Sequence, residues 1–389
     1  MYKLRDYQQK TSDAAVNFFA NKAKKNNAIM VLPTGAGKSL VIADIASRLE
    51  GHTLVFQPSK EILEQNYLKL CSYGILDCSI YSASFGRKEI SRITFATIGS
   101  VVNHPELFQH FKNIIIDECH LVNPKEGMYK SFLSMLKCNV HGLTATPYRL
   151  SSSRDFGSML KFITRTRPCV FSEVIYQVQI STLLDMGYLS KLNYYEMNPL
   201  GWNELNLKVN TTGADYTDKS VVKEYERIDF YGFLVSIVQR LMNPKSGIKR
   251  KGILVFMRFL KEAERLTWSI PGAAIVSGET PKKERESILE AFKAGEIPVV
   301  ANVGVLTTGF DYPELDTIVM ARPTMSLALW YQIVGRAIRP HPSKEAGWIV
   351  DLCGNKKRFG EVKDLRLVDS GNGKWAVYSN NRQLTNVRF

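Results

Sequence analysis

The sequence predicts an α/β protein of two successive units, each a mostly parallel sheet with helices on both faces. Three observations carry this. Short apolar runs alternate with amphipathic stretches through the first 150 residues, the same alternation returns after residue 250, and the stretch between is irregular. In order, Ala28–Leu32 reads as a strand, Ser39–Leu49 as a helix, Thr53–Phe56 as a strand and Glu61–Leu70 as a helix. Arg92–Ala96, Asn113–Asp117 and Val140–Thr144 complete the first set of strands. Ser172–Met186 reads as one helix ending at Gly187, a suitable C-cap. Leu192–Met197 reads as a strand and Leu205–Asp218 as polar and turn-rich. Lys219–Met242 is a long helix that stops before Pro244. Gly252–Phe256, Ala273–Val276, Pro298–Ala301, Thr317–Met320 and Gly347–Leu352 form the second set of strands, and the last twenty residues suit a small hairpin. The domain boundaries expected are 1–185, a linking segment 186–250, a second domain 251–369 and a tail 370–389.

A chain of 389 residues with 45% hydrophobic residues can bury two cores. Its 51 Lys and Arg against 37 Asp and Glu leave a formal charge of +14, which favours polyanions, nucleic acid before anionic membrane. The six cysteines are scattered and form no C-x-x-C pair, so neither a zinc ribbon nor a disulfide framework is indicated. The N-terminus lacks an apolar leader and no apolar run is long enough to span a bilayer. A soluble, cytoplasmic protein without a membrane partner is the expectation; protein partners are not legible.

Pro33-Thr34-Gly35-Ala36-Gly37-Lys38-Ser39 follows a predicted strand and opens a predicted helix. A phosphate-binding loop needs that context: glycines let backbone N–H groups curl around an anion, and the helix N-terminus adds positive potential. Lys38 is placed to reach the outer phosphates of ATP and Ser39 to hold Mg²⁺. Leu32 stands where the general pattern has its first glycine. About 80 residues on, the apolar strand Asn113–Ile116 delivers Asp117 and Glu118, then Cys119 and His120. Carboxylates at the C-terminal end of a strand sit where α/β sheets bind ligands. Asp117 is expected to fix Mg²⁺ through water and Glu118 to deprotonate the attacking water. Leu143-Thr144-Ala145-Thr146-Pro147 follows the next strand and sets two hydroxyls beside those carboxylates, suited to relaying the state of a phosphate.

This order of motifs resembles the superfamily 2 helicases, and the resemblance covers about residues 1–355. It implies two RecA-like domains. The set L-R-x-Y-Q-Q, V-L-P-T-G-A-G-K-S, D-E-C-H, L-T-A-T-P-Y-R-L, V-L-T-T-G-F-D, R-P-T and Q-I-V-G-R is most similar to RadD-type bacterial repair ATPases, and less closely to phage branch-migration helicases of the UvsW type. The cysteine-rich zinc region of the RadD type has no counterpart here. The resemblance implies that Gln332, Arg336 and Arg339 act in catalysis, the arginines as fingers on the transferred phosphoryl group. It implies that Arg5 and Gln8 contact adenine, and that Gly309 and Asp311 belong to a motif touching nucleotide and nucleic acid. It points to Ser59, Lys60, Gln65, Thr97 and Ser100 in the first domain, and Arg258, Gly278, Thr308 and Thr324 in the second, as backbone contacts to a nucleic-acid strand. Small hydroxyl and amide groups suit contacts that carry no sequence information. No aromatic strip marks a base-stacking platform. The implied activity is an ATP- and Mg-dependent DNA helicase or translocase in repair or recombination, acting on branched or forked DNA. The alternative is an RNA-dependent ATPase.

Overall fold

The computed structural model describes residues 3–20, 27–153, 157–196, 205–245, 250, 252–307 and 312–387. Two compact units divide the chain. Met1–Ser151, Met159–Thr182 and Arg366–Arg388 form the first; Ser152–Ser158, Leu183–Leu365 and Phe389 form the second.

The first unit is built on an eight-stranded sheet. Its strands are β1 (Ala28–Val31), β2 (His52–Phe56), β3 (Cys78–Ser82), β4 (Arg87–Lys88), β5 (Ile93–Ala96), β6 (Phe111–Asp117), β7 (Asn139–Thr144) and, after a ribbon of β8 (Tyr148–Ser153) and β9 (Gly157–Phe162), β10 (Glu173–Gln177). The order is β10-β1-β7-β6-β2-β5-β3-β4, parallel throughout except β3–β4. Every residue of β1, β3 and β5 is buried, as apolar runs covered on both faces should be. The helices are α1 (Asp6–Ala20), α2 (Lys38–Arg48), α3 (Lys60–Ser72), α4 (Ile98–Val101), α5 (Met128–Ser134) and α6 (Ile180–Asp185).

The stretch 172–186 is not one helix. Its first part is edge strand β10, paired with β1, and only Ile180–Asp185 is helical. Val174, Ile175 and Tyr176 are β-branched or aromatic and fit a pleated surface better than a helix. An open edge beside β1 is filled by that preference.

The second unit holds a six-stranded parallel sheet of β11 (Lys191–Glu196), β12 (Ile253–Met257), β13 (Ala274–Ser277), β14 (Val299–Val303), β15 (Thr317–Ala321) and β16 (Ala346–Asp351), in the order β11-β16-β15-β12-β14-β13. Its helices are α7 (Asp218–Arg227), α8 (Phe230–Met242), α9 (Leu260–Ser269), α10 (Lys282–Ala294), α11 (Leu327–Ala337) and α12 (Asn355–Phe359). Val221, Leu234, Ile237, Val255, Leu266, Val319 and Val350 share one core. The helix expected over 219–242 breaks in two at Ile228-Asp229. Asp229 adopts φ 47°, and its carboxylate caps α8 by accepting from Gly232 N at 3.3 Å. A side chain at position 232 would collide with that carboxylate, so the glycine permits the cap.

The chain then forms a three-stranded sheet, β17 (Leu365–Asp369), β18 (Trp375–Ser379) and β19 (Arg382–Gln383), grouped with the first unit from Arg366 onward. The hairpin expected at the end of the chain is β18–β19. The Gln179 amide accepts from Leu367 N and donates to Leu367 O (3.0 and 2.8 Å). Asn386 accepts from Phe162 N and donates to Trp375 O, both at 3.0 Å, and Trp375 stacks on Phe162.

Candidate active site

The loop between β1 and α2 turns through two left-handed glycines, Gly35 at φ 84° and Gly37 at φ 74°. Gly37 is the N-cap of α2, and a Cβ there would stand 2.6 Å from Gln8 Nε2. Left-handed φ and missing space both demand glycine. The first N–H groups of α2 have no partner within the helix, so the loop presents donors to an anion. Pro33, Thr34 and Ala36 are buried beneath it, and Ser39 lies in the first turn of α2.

The loop is braced from α1. Tyr7 Oη and Gln8 Nε2 both donate to Ala36 O at 2.9 Å. Gln8 Oε1 accepts from Arg5 N at 2.9 Å, and Arg5 Nη1 lies 3.5 Å from Tyr7 Oη. Arg5 and Gln8 therefore stand beside the loop between β1 and α2. Sequence reasoning missed Tyr7, whose hydroxyl duplicates the Gln8 contact.

Asp117 ends β6 and Glu118 follows in a left-handed conformation, φ 49°. A residue with a side chain rarely adopts that conformation, and such strain concentrates at working sites. Lys38 Nζ lies 2.6 Å from Glu118 Oε1. The other carboxylate oxygen lies 3.3 Å from His120 Nδ1 and accepts from Thr144 Oγ1 at 3.4 Å. His120 Nδ1 also meets Thr144 Oγ1 at 2.9 Å and Thr146 Oγ1 at 3.2 Å, while Thr146 N donates to Thr144 Oγ1 at 3.0 Å. The two threonines expected to relay the phosphate state are thus joined to Glu118 through one imidazole. The sequence set His120 in the D-E-C-H run but gave no sign that it is the hub.

Burial and the adjacent Glu118 carboxylate push Asp117 up to about 7. Burial pushes Glu118 the same way, but Lys38 and His120 outweigh it and hold the carboxylate well below its usual range. Glu118 is therefore ionised, its basicity held down while Lys38 rests on it, and Asp117 is a carboxyl whose ionised form a divalent cation would favour. The donor set of Ser39 hydroxyl and Asp117 carboxylate is the hard-oxygen chemistry that Mg²⁺ takes. Behind the pair, a Cβ on Gly142 of β7 would lie 2.7 Å from Cys119 Sγ, so β7 can pass this turn only as glycine.

The first-unit candidates for strand contact lie after the C-terminal ends of the neighbouring strands β2 and β5. Ser59 caps α3, accepting from Ile62 N at 3.3 Å. Lys60 Nζ donates to Ser84 O at 2.6 Å and lies over the Phe85 ring. Thr97 Oγ1 meets Ser100 Oγ at 3.0 Å, and Ser100 accepts from Ala83 N at 3.2 Å. Gln65 is exposed on α3. Lys60, Ser100 and, through Ser100, Thr97 thus gather about the turn at Ala83–Phe85, held by local bonds.

In the second unit Arg258, Gly278 and Thr324 follow β12, β13 and β15. Gly278 is exposed with open space around it. Arg258 is fully engaged: it bonds Asp218 at 2.7 Å, Asp215 at 3.0 Å and Tyr216 O at 2.6 Å. Asp215 also accepts from Arg322 at 3.4 Å and Met325 N at 3.1 Å. Thr324 is buried, donating from its N–H to Asn355 and accepting from Ser326 N. Thr308, Gly309 and Asp311 lie outside the described residues. Gln332 and Arg336 share α11, with Arg336 Nε donating to Gln332 O at 3.4 Å. Arg336 is buried and Arg339 follows the helix, its guanidinium lowered by burial.

Residues 1–149 match the family model described as the res subunit of type III restriction enzymes, and residues 234–341 match the helicase conserved C-terminal domain. In these two regions the chain is similar to the paired helicase domains of superfamily 2. Among curated relatives, it is 25% identical over 384 residues to a putative ATP-dependent helicase, IRC3, of Saccharomyces cerevisiae, covering 90% of this chain and 51% of that protein. It is 26% identical over 371 residues to the DNA 3'-5' translocase XPB2 of Sulfurisphaera tokodaii (87% and 79%), and 24% over 358 residues to the ATP-dependent DNA helicase uvsW of Enterobacteria phage T4 (86% and 67%). The chain spans about half the length of the first of these. A type ISP restriction-modification enzyme, LlaBIII, solved bound to DNA shares the fold at TM-score 0.65 and 19% identity, over 90% of this chain and 27% of that one. These neighbours bear out two RecA-like, mostly parallel α/β units. Among the described residues no helix is long and apolar enough to cross a membrane, and no cluster of three or more His, Cys, Asp or Glu could hold a metal.

Proposed function

We propose that this superfamily 2 chain is an ATP-driven DNA translocase or helicase acting on branched or forked DNA in repair or recombination. The observation that carries the reading is the continuous bond path from Lys38 through Glu118 and His120 to Thr144 and Thr146. It links the group that holds a phosphate to the segment that would report its loss. Relatives named as DNA helicases or translocases support DNA as the polymer.

In this reading Lys38 and the loop N–H groups hold the phosphates of ATP, and Ser39 and Asp117 hold Mg²⁺. The cation, when bound, neutralises charge on the phosphate oxygens. Glu118 takes the proton of the attacking water. Its pairing with Lys38 gives way when Lys38 turns to phosphate, and this frees the carboxylate. Arg336 and Arg339 are assigned to the transferred group as fingers, worth about 10³–10⁵ in rate in related nucleotidases. Gln332, Gly309 and Asp311 are assigned to the same nucleotide. Ser59, Lys60, Gln65, Thr97, Ser100, Gly278 and Thr308 are assigned to the strand backbone. Arg258 and Thr324 join them only if their internal partners release them. The domain limits remain 1–185, 186–250, 251–369 and 370–389 as working boundaries.

The test is ATP hydrolysis by the full chain with single strands, duplexes, forks and junctions, each as DNA and as RNA. Stimulation by DNA, greatest with branched DNA, is expected. Stimulation by RNA alone would replace DNA in the reading.

A further inference from the structure

A cavity of about 1420 Å³ opens in the second unit, lined by β11, the C-terminal part of α8, Arg250 and the loops before β15 and β16. None of the proposed nucleotide or strand contacts lies in it. We propose that it is a second nucleic-acid site, taking single-stranded DNA with a base stacked on Tyr195. The inference rests on the proposed function for its polymer and goes beyond it in place and chemistry.

Its floor is a three-layer stack assembled from distant parts of the chain. Asn193 and Tyr195 project from edge strand β11, and Asn193 is in register with Trp348 of β16. The Tyr195 and Trp348 rings lie 5.0 Å apart at 11°, and the Arg250 guanidinium lies 4.1 Å from the Trp348 centroid. Tyr195 is 42% exposed on β11, which among the described residues is the edge strand of its sheet. A planar face of this kind, held flat by a ring and a cation, suits a nucleobase, because stacking accepts any base.

The rim supplies the rest. Arg240 and Lys245 are exposed on the α8 side and suit phosphate oxygens. Lys344 does not add to them: its ammonium donates to Pro313 O, Leu315 O and Ala337 O at 2.8, 3.0 and 3.0 Å. On the opposite wall Glu314 is paired with His341 at 3.6 Å, and Glu345 is exposed. Cations on one wall and carboxylates on the other match a strand that turns its phosphates one way and its amino-bearing base edges the other.

The experiment uses the full chain, a fluorescent single-stranded DNA of thirty nucleotides and the variants Tyr195→Ala, Tyr195→Phe and Arg240→Glu/Lys245→Glu. Tyr195→Ala should weaken binding about 5- to 150-fold, the range for losing one stacked base. Tyr195→Phe should bind as the parent, since the face and not the hydroxyl is used. The double charge reversal should weaken binding and flatten its salt dependence. ATP turnover without DNA should not move in any of them, and the melting temperature should fall only in Tyr195→Ala, by the few degrees that losing the stack on Trp348 costs. Unchanged affinity in Tyr195→Ala, with DNA-stimulated ATP turnover intact, overturns the groove and spares the motor. A parent chain that binds no single strand overturns both. A Tyr195→Ala variant that loses self-association while keeping DNA affinity assigns the groove to a second copy and overturns the proposal.

Discussion

Removing Lys38 should destabilise the nucleotide-free protein, not merely silence it. Lys38 Nζ and Glu118 Oε1 are 2.6 Å apart, with side chains only 14% and 18% exposed, and Asp117 is buried beside them. Coulomb's law at that separation gives about 6 kcal/mol at an effective dielectric of 20, before desolvation. Desolvation takes back most of this, leaving a net coupling of about 1–3 kcal/mol. Lys38→Ala leaves two adjacent carboxylates without their cation. Its first-unit transition should fall by about 2–12 °C, at about 2–4 °C per kcal/mol for a unit of this size. Glu118→Gln should cost less, because it also removes repulsion from Asp117. The double variant Lys38→Ala/Glu118→Gln should recover most of the loss. Thermal and urea melts of all four proteins without nucleotide measure the cycle. Strictly additive single effects would refute the pair as drawn, and with it the resting position of Lys38 on Glu118.

His141 predicts acid sensitivity. It is buried in β7 with neither ring nitrogen bonded among the described residues, and burial lowers it from 6.5 to about 3. Above pH 6.5 both states are neutral; as pH falls the unfolded chain protonates first, so stability drains between pH 6.5 and 3, about 2 kcal/mol by pH 5. Urea melts against pH should show this in the parent and lose much of it in His141→Leu; identical slopes would remove His141 as the cause. Arg336→Ala should keep ATP affinity and slow turnover at least about 10³-fold, the scale of an arginine finger; nucleotide binding and single-turnover rates separate the two, and collapse of affinity with normal turnover would reverse the assignment. Thr146→Ala should lower stimulation by DNA more than hydrolysis without it, since it breaks the link to His120 but leaves Glu118 on Lys38; equal losses would make the threonine merely structural.

The parts of this protein that could be read from sequence are those written locally. Gly35, Gly37 and Lys38 sit in one loop whose glycines are required by φ, and Asp117–Glu118 end one apolar strand. Helix boundaries were harder where a side chain decides them: Asp229 breaks the expected long helix because its carboxylate and Gly232 make a cap that periodicity does not encode. Val174–Tyr176 became a strand because β1 offered it an edge, a tertiary reason absent from the local pattern. His120 is locally visible, but its role as hub comes from Thr144 and Thr146 arriving on β7. Tyr7 acts across 29 positions, and the Tyr195–Trp348 stack joins two strands brought together only by the second sheet. Tyr7 stands within the L-R-x-Y-Q-Q run, but nothing local gives it this contact, and the stack has no motif.

The most direct test of the account is coupling between polymer and nucleotide. ATP turnover should be low alone and raised strongly by DNA, and by linkage the affinity for DNA should differ between an ATP analogue and ADP. Both are read from one preparation, with the hydrolysis rate followed across a DNA titration and the affinity taken in each nucleotide state. The path from Lys38 to Thr146 predicts that Thr146→Ala brings the two affinities together. Equal turnover with and without every DNA tried, together with identical affinities in both nucleotide states, would contradict the motor reading even if ATP were hydrolysed.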